Sequence, residues 1–260
     1  MSTDKKFTKI GVMIDCSRNA VISLPAIKKL IPILSDFGYN SLQLYTEDTL
    51  KAQNEEYLGY LRGAFTSEQI KEIVDYACAY DIEVVPCIQT LAHMNCMLKL
   101  PVYEEFKDID DIMVADDEKV YAFLENVISS ARKNFKSNRI NIGMDEAAHI
   151  GMGRYLARHG YVNKKKIIVE HLKRVAKICD KYGFIPMIWS DMLFDIGENG
   201  LQYVIPKDIE KWGVPENVRL IYWDYYSKDK QHYIDRLEAH KKLNRKNKKT
   251  RLDGRISKGP

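Results

Sequence analysis

Six short apolar runs alternate with amphipathic helical stretches along most of this chain, and this alternation constrains its fold more than any other feature. Such alternation is typical of βα units, whose strands lie parallel in one sheet. The runs are nearly continuous in hydrophobicity, as strands buried on both faces must be. They occupy residues 9–17, 41–48, 82–90, 139–146, 185–192 and 218–226. The helical patterns lie near 24–36, 67–80, 118–135, 164–182 and 228–243, with Gly38, Asp81 and Gly183 at three expected helix ends.

Polar side chains gather at the carboxyl ends of these runs. They are Asp15, Glu47, Asp48, Gln89, Asp145, Glu146, Asp191 and Asp224. In a parallel barrel all such ends meet at one rim, whereas an open doubly wound sheet collects only those beside a crevice. Polar ends on six successive strands therefore favour a (β/α)8 barrel. Neither GxGxxG nor GxxxxGK[ST] occurs, so the sequence lacks the motifs of Rossmann and P-loop phosphate sites.

The chain is short for a closed barrel. Two further βα units would need about 60 residues at the usual ~30 each, and residues 244–260 hold only Leu252 and Ile256 as large apolar residues. We therefore predict an α/β fold, an incomplete TIM-type barrel of about six βα units in residues 1–243, followed by a basic, disordered tail in 244–260. The change of composition near Lys241 resembles a premature ending. We expect open strand edges to lower stability and to favour self-association.

Charge and cysteine usage limit the expected partners and the expected cellular compartment. Residues 241–260 carry six Lys and three Arg against one Asp, so the net +4 leaves −4 on residues 1–240. A solvated tail explains this better than a nucleic-acid-binding arm. The five scattered cysteines lack a CxxC pair and predict reduced thiols in a cytoplasmic protein. No run of 18 apolar residues or signal-like start occurs, so we expect neither membrane spanning nor secretion by a signal peptide.

The fourth run ends on two adjacent carboxylic acids, Asp145 and Glu146, in the stretch RINIGMDE. One acid before a helix would be explained by capping of free N–H groups. Two acids after Gly143 are harder to explain by capping alone. The residues by themselves do not decide between a capping role and a functional role for this pair. His93, like Trp189 and Trp223, is also compatible with a packed structural position.

Five segments, taken in order, resemble the catalytic domain of glycoside hydrolase family 20, the β-N-acetylhexosaminidases. Asp15-Cys-Ser-Arg18 resembles the family's D-x-[SA]-R, and Asp48 follows at the end of the second run. PCIQTLAH, ending at His93, parallels P-E-I-D-x-P-G-H, and NIGMDE parallels H-I-G-G-D-E. Trp189 and Trp223 end the next two runs. The resemblance covers about residues 8–240, and strings such as LYTED and VVPCIQTLAH are similar to a bacterial, cytosolic-type subgroup.

The resemblance implies an exo-acting hydrolase that removes terminal β-linked N-acetylglucosamine or N-acetylgalactosamine with retention. The substrate's 2-acetamido group would be the nucleophile, Glu146 the general acid and base, and Asp145 the residue that orients the acetamido group. Arg18, Asp48, His93, Trp189 and Trp223 would bind the sugar, and no metal or organic cofactor is implied. The expected partner is an oligosaccharide, not nucleic acid or a membrane.

Several departures keep other interpretations open. Ile10, Ala92 and Met144 stand where the family has Arg, Gly and Gly. The seventh and eighth strands, which in the family supply a Tyr, a Trp and an acid to the site, have no counterpart in the pattern. An inactive truncated remnant, or a sugar-binding pseudoenzyme, is therefore the main alternative. A metal-dependent barrel hydrolase is disfavoured because the six histidines include no HxH or HExxH spacing.

Overall fold

The computed structural model of the chain describes residues 7–18, 20–196, 203–206 and 213–246. Its centre is a parallel sheet whose six strands pair in chain order. The strands are β1 (Gly11–Asp15), β2 (Ser41–Glu47), β3 (Glu83–Ile88), β4 (Arg139–Asn141), β5 (Ile185–Trp189) and β6 (Arg219–Ile221). The main helices are α1 (Leu24–Asp36), α2 (Ser67–Cys78), α3 (Glu118–Asn134), α4 (Lys164–Lys181) and α5 (Lys230–Lys246). The predicted α/β fold with six strands of an incomplete barrel is confirmed, and β1 and β6 are the outer strands within the described residues.

The helices begin where the sequence provides caps. Thr66 and Gln69 form a reciprocal capping box at the start of α2, which satisfies two N–H groups that have no partner inside the helix. The side chains of Asp117 and Asn163 accept from backbone N–H groups at the starts of α3 and α4. These local bonds fix the point at which the chain turns back after leaving the sheet.

The core lies between the sheet and the apolar stripes of the helices. Each stripe repeats at three to four residues, as Ile27, Ile31 and Leu34 do on α1. Leu42 and Leu44 of β2 are also fully buried. Burial of one such side chain contributes about 1.5–3 kcal/mol. The helices therefore bury their apolar stripes against the sheet and leave its strand ends free to carry polar groups.

An ion cluster joins β3 and β4 at the amino ends of the strands. Arg139 Nη2 lies 2.6 Å from Glu83 Oε2, and Lys9 Nζ lies 2.8 Å from the same oxygen. Ser137 Oγ donates to Glu83 Oε1 at 2.6 Å. Burial opposes ionisation of Glu83, but these three donors outweigh it and lower its pKa to about 2. The cluster therefore acts as an electrostatic link between neighbouring strands.

Two hairpins and several short helical turns were not predicted from the sequence. The first hairpin pairs Lys107–Ile109 with Ile112–Met113, and the second pairs Asp195–Ile196 with Tyr203–Val204. Strands of two or three residues are too short to show the alternation of apolar and polar residues by which a strand is recognised in a sequence. The first hairpin is bound to the loop after β3, because Met113 N donates to Leu91 O at 2.8 Å and Met94 N to Asp111 O at 3.0 Å.

The final helix passes the predicted boundary at residue 243 and runs to Lys246, the last residue that the structure describes. The remainder of the predicted basic tail, 247–260, lies outside the described residues. All five cysteines are free thiols, three of them buried. Within the described segments, no helix is both long and apolar enough to cross a membrane.

Candidate active site

The turn after β4 carries the two adjacent acids in an unusual backbone conformation. Gly143, Met144 and Glu146 have φ angles of 70°, 74° and 53°. These angles lie in the left-handed region, which residues other than Gly rarely adopt. At Gly143 space is also limiting, since a Cβ there would lie 1.9 Å from Oε1 of Gln89. Backbone strain of this kind is concentrated at functional sites. Trp189 N holds the turn against β5 by donating to Gly143 O at 3.1 Å.

Gln89 fixes the position of Asp145. The amide Oε1 of Gln89 accepts from Met144 N at 3.1 Å, while its Nε2 donates to Asp145 Oδ1 at 2.8 Å and to Tyr45 OH at 3.0 Å. Gln89 is buried, and the Asp145 side chain is only 14% exposed. Asp145 is thus a carboxylate of fixed orientation at the end of the sheet.

Glu146 has more freedom, because its side chain is 57% exposed. Its Oε2 lies 3.5 Å from His93 Nε2, which is also 3.3 Å from Asp145 Oδ2. His93 has a φ of 58° and reaches the acids from the loop after β3. Its hydrogen bond with Asp145 raises the pKa of His93, an effect that burial opposes. The structure therefore brings three of the predicted site residues into direct proximity.

Arg18 is linked to this group through buried side chains. Its Nε lies 3.3 Å from Glu47 Oε1, and the same oxygen accepts from Tyr45 OH at 3.0 Å. Because Tyr45 also contacts Gln89, a continuous set of hydrogen bonds runs from Arg18 to Asp145. Burial raises the pKa of Glu47, against the opposing effects of Tyr45 and Arg18.

Asp48, predicted as a site residue, has a different partner. Its Oδ1 lies 3.2 Å from Arg62 Nη2, and Arg62 also donates to Ser17 O. The neighbouring acid Glu47 makes the contact with Arg18 instead. Glu47 stands at an irregularity of β2, where the register with β3 shifts and its own φ is 46°. Strand alternation therefore gives no sequence signal that favours Glu47 over Asp48 as the partner of Arg18.

The two predicted tryptophans lie at the ends of neighbouring strands. Trp189 closes β5 and is 8% exposed. Trp223 follows β6, and its Nε1 donates to Asp191 Oδ1 at 3.3 Å. Asp191 Oδ2 accepts from Glu146 N at 3.0 Å. Burial raises the pKa of Asp191 to about 6, and the negative charge of Asp145 adds to the increase.

Tyr45, Glu47, Gln89 and Asp191 are members of this site that were not among the predicted site residues. Three of them belong to the polar strand ends noted in the sequence, so a signal existed for their location. Their individual contacts depend on which side chains meet in three dimensions. Tyr45 has no such signal beyond its place two residues before Glu47.

A cavity of about 1060 Å³ adjoins this group, and its wall includes Glu146, Asp191 and Trp223. A smaller cavity of about 440 Å³ lies at the amino ends of the strands near Glu83 and Ser137. In parallel α/β barrels the carboxyl ends of the strands carry the chemistry, so the larger cavity is the candidate active site. Its wall carries the exposed carboxylate of Glu146 beside the carboxylate of Asp191, and Asp145 lies next to this wall without being part of it. Among the described residues, no group of three or more His, Cys, Asp or Glu side chains could hold a metal ion.

Comparison with known proteins gives a consistent result. The family model described as glycosyl hydrolase family 20, catalytic domain, matches residues 7–250. Human Hexosaminidase D is 24% identical over 208 residues, which cover 76% of this chain and 41% of that protein. The Beta-hexosaminidase of Porphyromonas gingivalis is 26% identical over 219 residues, which cover 70% of this chain and 28% of that protein. The chain thus spans less than half the length of these two relatives.

Solved structures share the fold. The GH20 β-N-acetylhexosaminidase of Streptomyces coelicolor A3(2) has a TM-score of 0.66 and 21% identity, covering 91% of this chain and 47% of that one. The GH20 exo β-N-acetylglucosaminidase of Vibrio harveyi, in complex with N-acetylglucosamine, has a TM-score of 0.71 and 17% identity. That match covers 93% of this chain and 40% of the Vibrio chain.

Proposed function

Because the chain belongs to glycosyl hydrolase family 20, we propose that it is an exo-acting glycosidase that removes terminal β-linked N-acetylglucosamine or N-acetylgalactosamine. The names of its relatives, Hexosaminidase D and Beta-hexosaminidase, support this class of substrate. N-acetylglucosamine in the related Vibrio harveyi structure supports the same sugar.

The proposed reaction uses the substrate's own acetamido group as the nucleophile. Its carbonyl oxygen forms a bond to the anomeric carbon as the glycosidic C–O bond breaks, and Glu146 gives a proton to the departing oxygen. Positive charge then develops on the oxazolinium ring, where the Asp145 carboxylate stabilises it and accepts a hydrogen bond from the ring N–H. Water next attacks the anomeric carbon and loses a proton to Glu146. The ring opens, and the configuration at the anomeric carbon is retained.

The difference between the two acids is the observation that carries this proposal. Asp145 is held by Gln89 and is 14% exposed, as suits a group that must orient a bound acetamido N–H. Glu146 is 57% exposed on the cavity wall, as suits a group that exchanges protons with a leaving group and with water. Two adjacent acids in a shared capping role would have no need of such different surroundings.

The remaining predicted residues have proposed roles in binding the sugar. The guanidinium of Arg18 presents a fork of donors that suits neighbouring hydroxyl groups. Trp189 and Trp223 would form apolar walls against the acetamido methyl group and the ring. His93 would contact both acids and keep their positions relative to each other. We assign Asp48 a supporting role, since its partner Arg62 also binds the turn that carries Arg18.

Hydrolysis of 4-nitrophenyl N-acetyl-β-glucosaminide and of the galactosaminide by the purified chain tests the proposal. We expect turnover that falls about 100-fold in Glu146→Gln, mainly because the amide cannot take the proton of the attacking water, since nitrophenolate needs little protonation to leave. Glu72→Gln, at an exposed position paired with Lys28, is the matched control and should retain full activity. Turnover equal in Glu146→Gln and in the parent chain would contradict the mechanism.

A sugar-binding protein without turnover is the second candidate. The observation in its favour is that β1 and β6 are outer strands within the described part of the chain, whereas a closed barrel pairs them with further strands. Calorimetry with N-acetylglucosamine separates the two functions. Binding by folded protein that shows no hydrolysis would favour this candidate over the enzyme.

We further propose that residues 1–243 form the catalytic unit, that residues 244–260 form a basic tail, and that the protein works in the cytoplasm. Five free thiols support a reducing compartment. The outer strands support self-association through sheet edges, which analytical ultracentrifugation would detect as a concentration-dependent mass. An oligosaccharide, not nucleic acid or a membrane, is the proposed partner.

A further inference from the structure

Asp191 joins two parts of the candidate site that lie far apart in the sequence. Its Oδ2 accepts from the backbone N–H of Glu146 at 3.0 Å. Its Oδ1 accepts from the indole Nε1–H of Trp223 at 3.3 Å. One carboxylate on the segment after β5 therefore bridges the turn after β4 and the segment after β6.

The backbone on one side of this bridge is in a conformation that needs support. Glu146 has a φ of 53°, and Met144, two residues earlier, has a φ of 74°. Left-handed backbone at such residues persists only where surrounding contacts determine it. Asp191 provides the acceptor for the N–H of Glu146 itself, and so fixes the peptide from which the Glu146 side chain extends.

We propose that Asp191 is a positioning residue that sets the direction of the Glu146 side chain and the plane of the Trp223 ring at the same time. It acts through these two residues and not on the substrate directly. The kinetic part of this inference rests on the proposed hydrolase activity. The structural part, a carboxylate shared between two N–H donors, does not.

The charges around Asp191 give the bridge a dependence on pH. Asp145 faces it from the turn after β4, Lys165 from α4, and the N–H groups of Glu146 and Trp223 from the two segments that it joins. Burial raises the pKa of Asp191 to about 6, and Asp145 adds to the increase. Above that pH both oxygens accept as an ionised carboxylate. Below it one oxygen carries a proton, so the bridge should weaken.

The first test is Asp191→Asn, assayed on two substrates with different leaving groups. The amide keeps one acceptor oxygen, so it must turn an NH2 group towards either Glu146 N–H or Trp223 Nε1–H. We expect a fall in kcat on the order of 10- to 100-fold on the chitobiose disaccharide, with little change in KM, because a displaced acid reduces transition-state stabilisation. With the nitrophenyl glycoside, whose leaving group needs little protonation, the fall should be several-fold smaller.

Asp75→Asn is the matched control, since Asp75 is exposed and pairs with Lys136 on the outside of the fold. It should leave both substrates unaffected. Equal losses on the two substrates, or no loss, would overturn the role of Asp191 in positioning Glu146. If Asp191→Asn fails to fold, Asp191→Glu takes its place. It keeps both acceptor oxygens but moves them, so the loss of kcat on the disaccharide should again exceed the loss on the nitrophenyl glycoside.

The second test needs no activity. The indole N–H resonance of Trp223, assigned by its loss in Trp223→Phe, should shift with pH around a midpoint near 6 in the parent chain and lose that titration in Asp191→Asn. A resonance that titrates equally in both proteins would overturn the bridge. If the parent chain is inactive but the resonance titrates as expected, the proposed function fails while the bridge stands.

Discussion

The hydrogen bond from Gln89 Nε2 to Asp145 Oδ1, 2.8 Å long, has a fixed polarity. Oε1 of the same amide accepts from the backbone N–H of Met144, and a backbone N–H is always a donor. The NH2 group of Gln89 must therefore face Asp145. This relationship makes Asp145 an acceptor from the protein on one oxygen and leaves its other oxygen beside His93.

Reversing that polarity should disable the site. In Gln89→Glu a carboxylate would face Asp145, so we expect the two like charges to repel and kcat to fall on the order of 10- to 100-fold. Kinetics on the nitrophenyl glycoside give the measurement. Gln53→Glu, at a position paired with Lys133, is the control and should be neutral. Full activity in Gln89→Glu would show that the bond does not orient Asp145.

Two glycines in the left-handed region separate backbone strain from steric conflict. Gly38 and Gly143 have φ angles of 77° and 70°, but a Cβ at Gly38 would meet nothing within 4 Å. Gly38→Ala should therefore lower the free energy of unfolding by only about 1 kcal/mol. Gly143→Ala must also displace Gln89 and should cost about 2 kcal/mol more. Urea unfolding of both variants gives the comparison, and equal losses would contradict the steric argument.

Glu47 and Asp48, the two acids at the end of β2, should have different effects when they are substituted. Glu47→Gln weakens the ionic contact with Arg18, so we expect KM for the glycoside to rise several-fold. Asp48→Asn weakens the pairing of the buried Asp48 carboxylate with Arg62, so the larger effect should be on stability, about 1–2 kcal/mol. Steady-state kinetics and thermal unfolding of the two variants measure these effects. A larger rise of KM in Asp48→Asn would reverse the assignment.

Two histidines should titrate on opposite sides of the ordinary histidine pKa. The hydrogen bond with Asp145 raises the pKa of His93 above its ordinary 6.5, whereas burial lowers that of His171 to about 4. Histidine ring resonances followed from pH 3.5 to 8.5 would show both midpoints. In Asp145→Asn the raising partner is lost while burial remains, so the midpoint of His93 should fall. An unchanged midpoint would exclude Asp145 as the cause.

Stability should depend on pH through Glu83. Its folded pKa of about 2 lies below the ordinary value of 4.5, so its ionisation stabilises the fold above about pH 4.5, and that stabilisation is lost as the pH falls towards 2. Glu83→Gln should therefore unfold about 1–3 kcal/mol more easily than the parent chain at pH 6, with the difference shrinking in acid. Glu72→Gln, at a more exposed pair, is the control. A difference that does not vary with pH would rule out an ionic origin.

Much of the framework could be predicted from the sequence because it depends on periodicity. The five predicted helices and six strands exist, and Gly38, Asp81 and Gly183 follow helix ends with positive φ, as expected of helix stops. The proximity of His93 to the two acids also follows from their places at neighbouring strand ends. These features require only local pattern and the geometry of a parallel sheet.

The details that the sequence did not predict depend on which groups meet after folding. The choice of Glu47 over Asp48 as the partner of Arg18 requires the register of β2, and the role of Gln89 requires the left-handed turn at Gly143. Asp191 gains its partners only when β4, β5 and β6 lie side by side. No local pattern records such contacts.

The two adjacent acids are restrained by different strands, Asp145 from β3 through Gln89 and Glu146 from beyond β5 through Asp191. Substitutions at position 89 and at position 191 should therefore displace different acids, the first Asp145 and the second Glu146. Because the charge of Asp145 also acts on Asp191, the effects of the two substitutions should not simply add. Residues that are neighbours in the chain would then evolve under different but linked constraints.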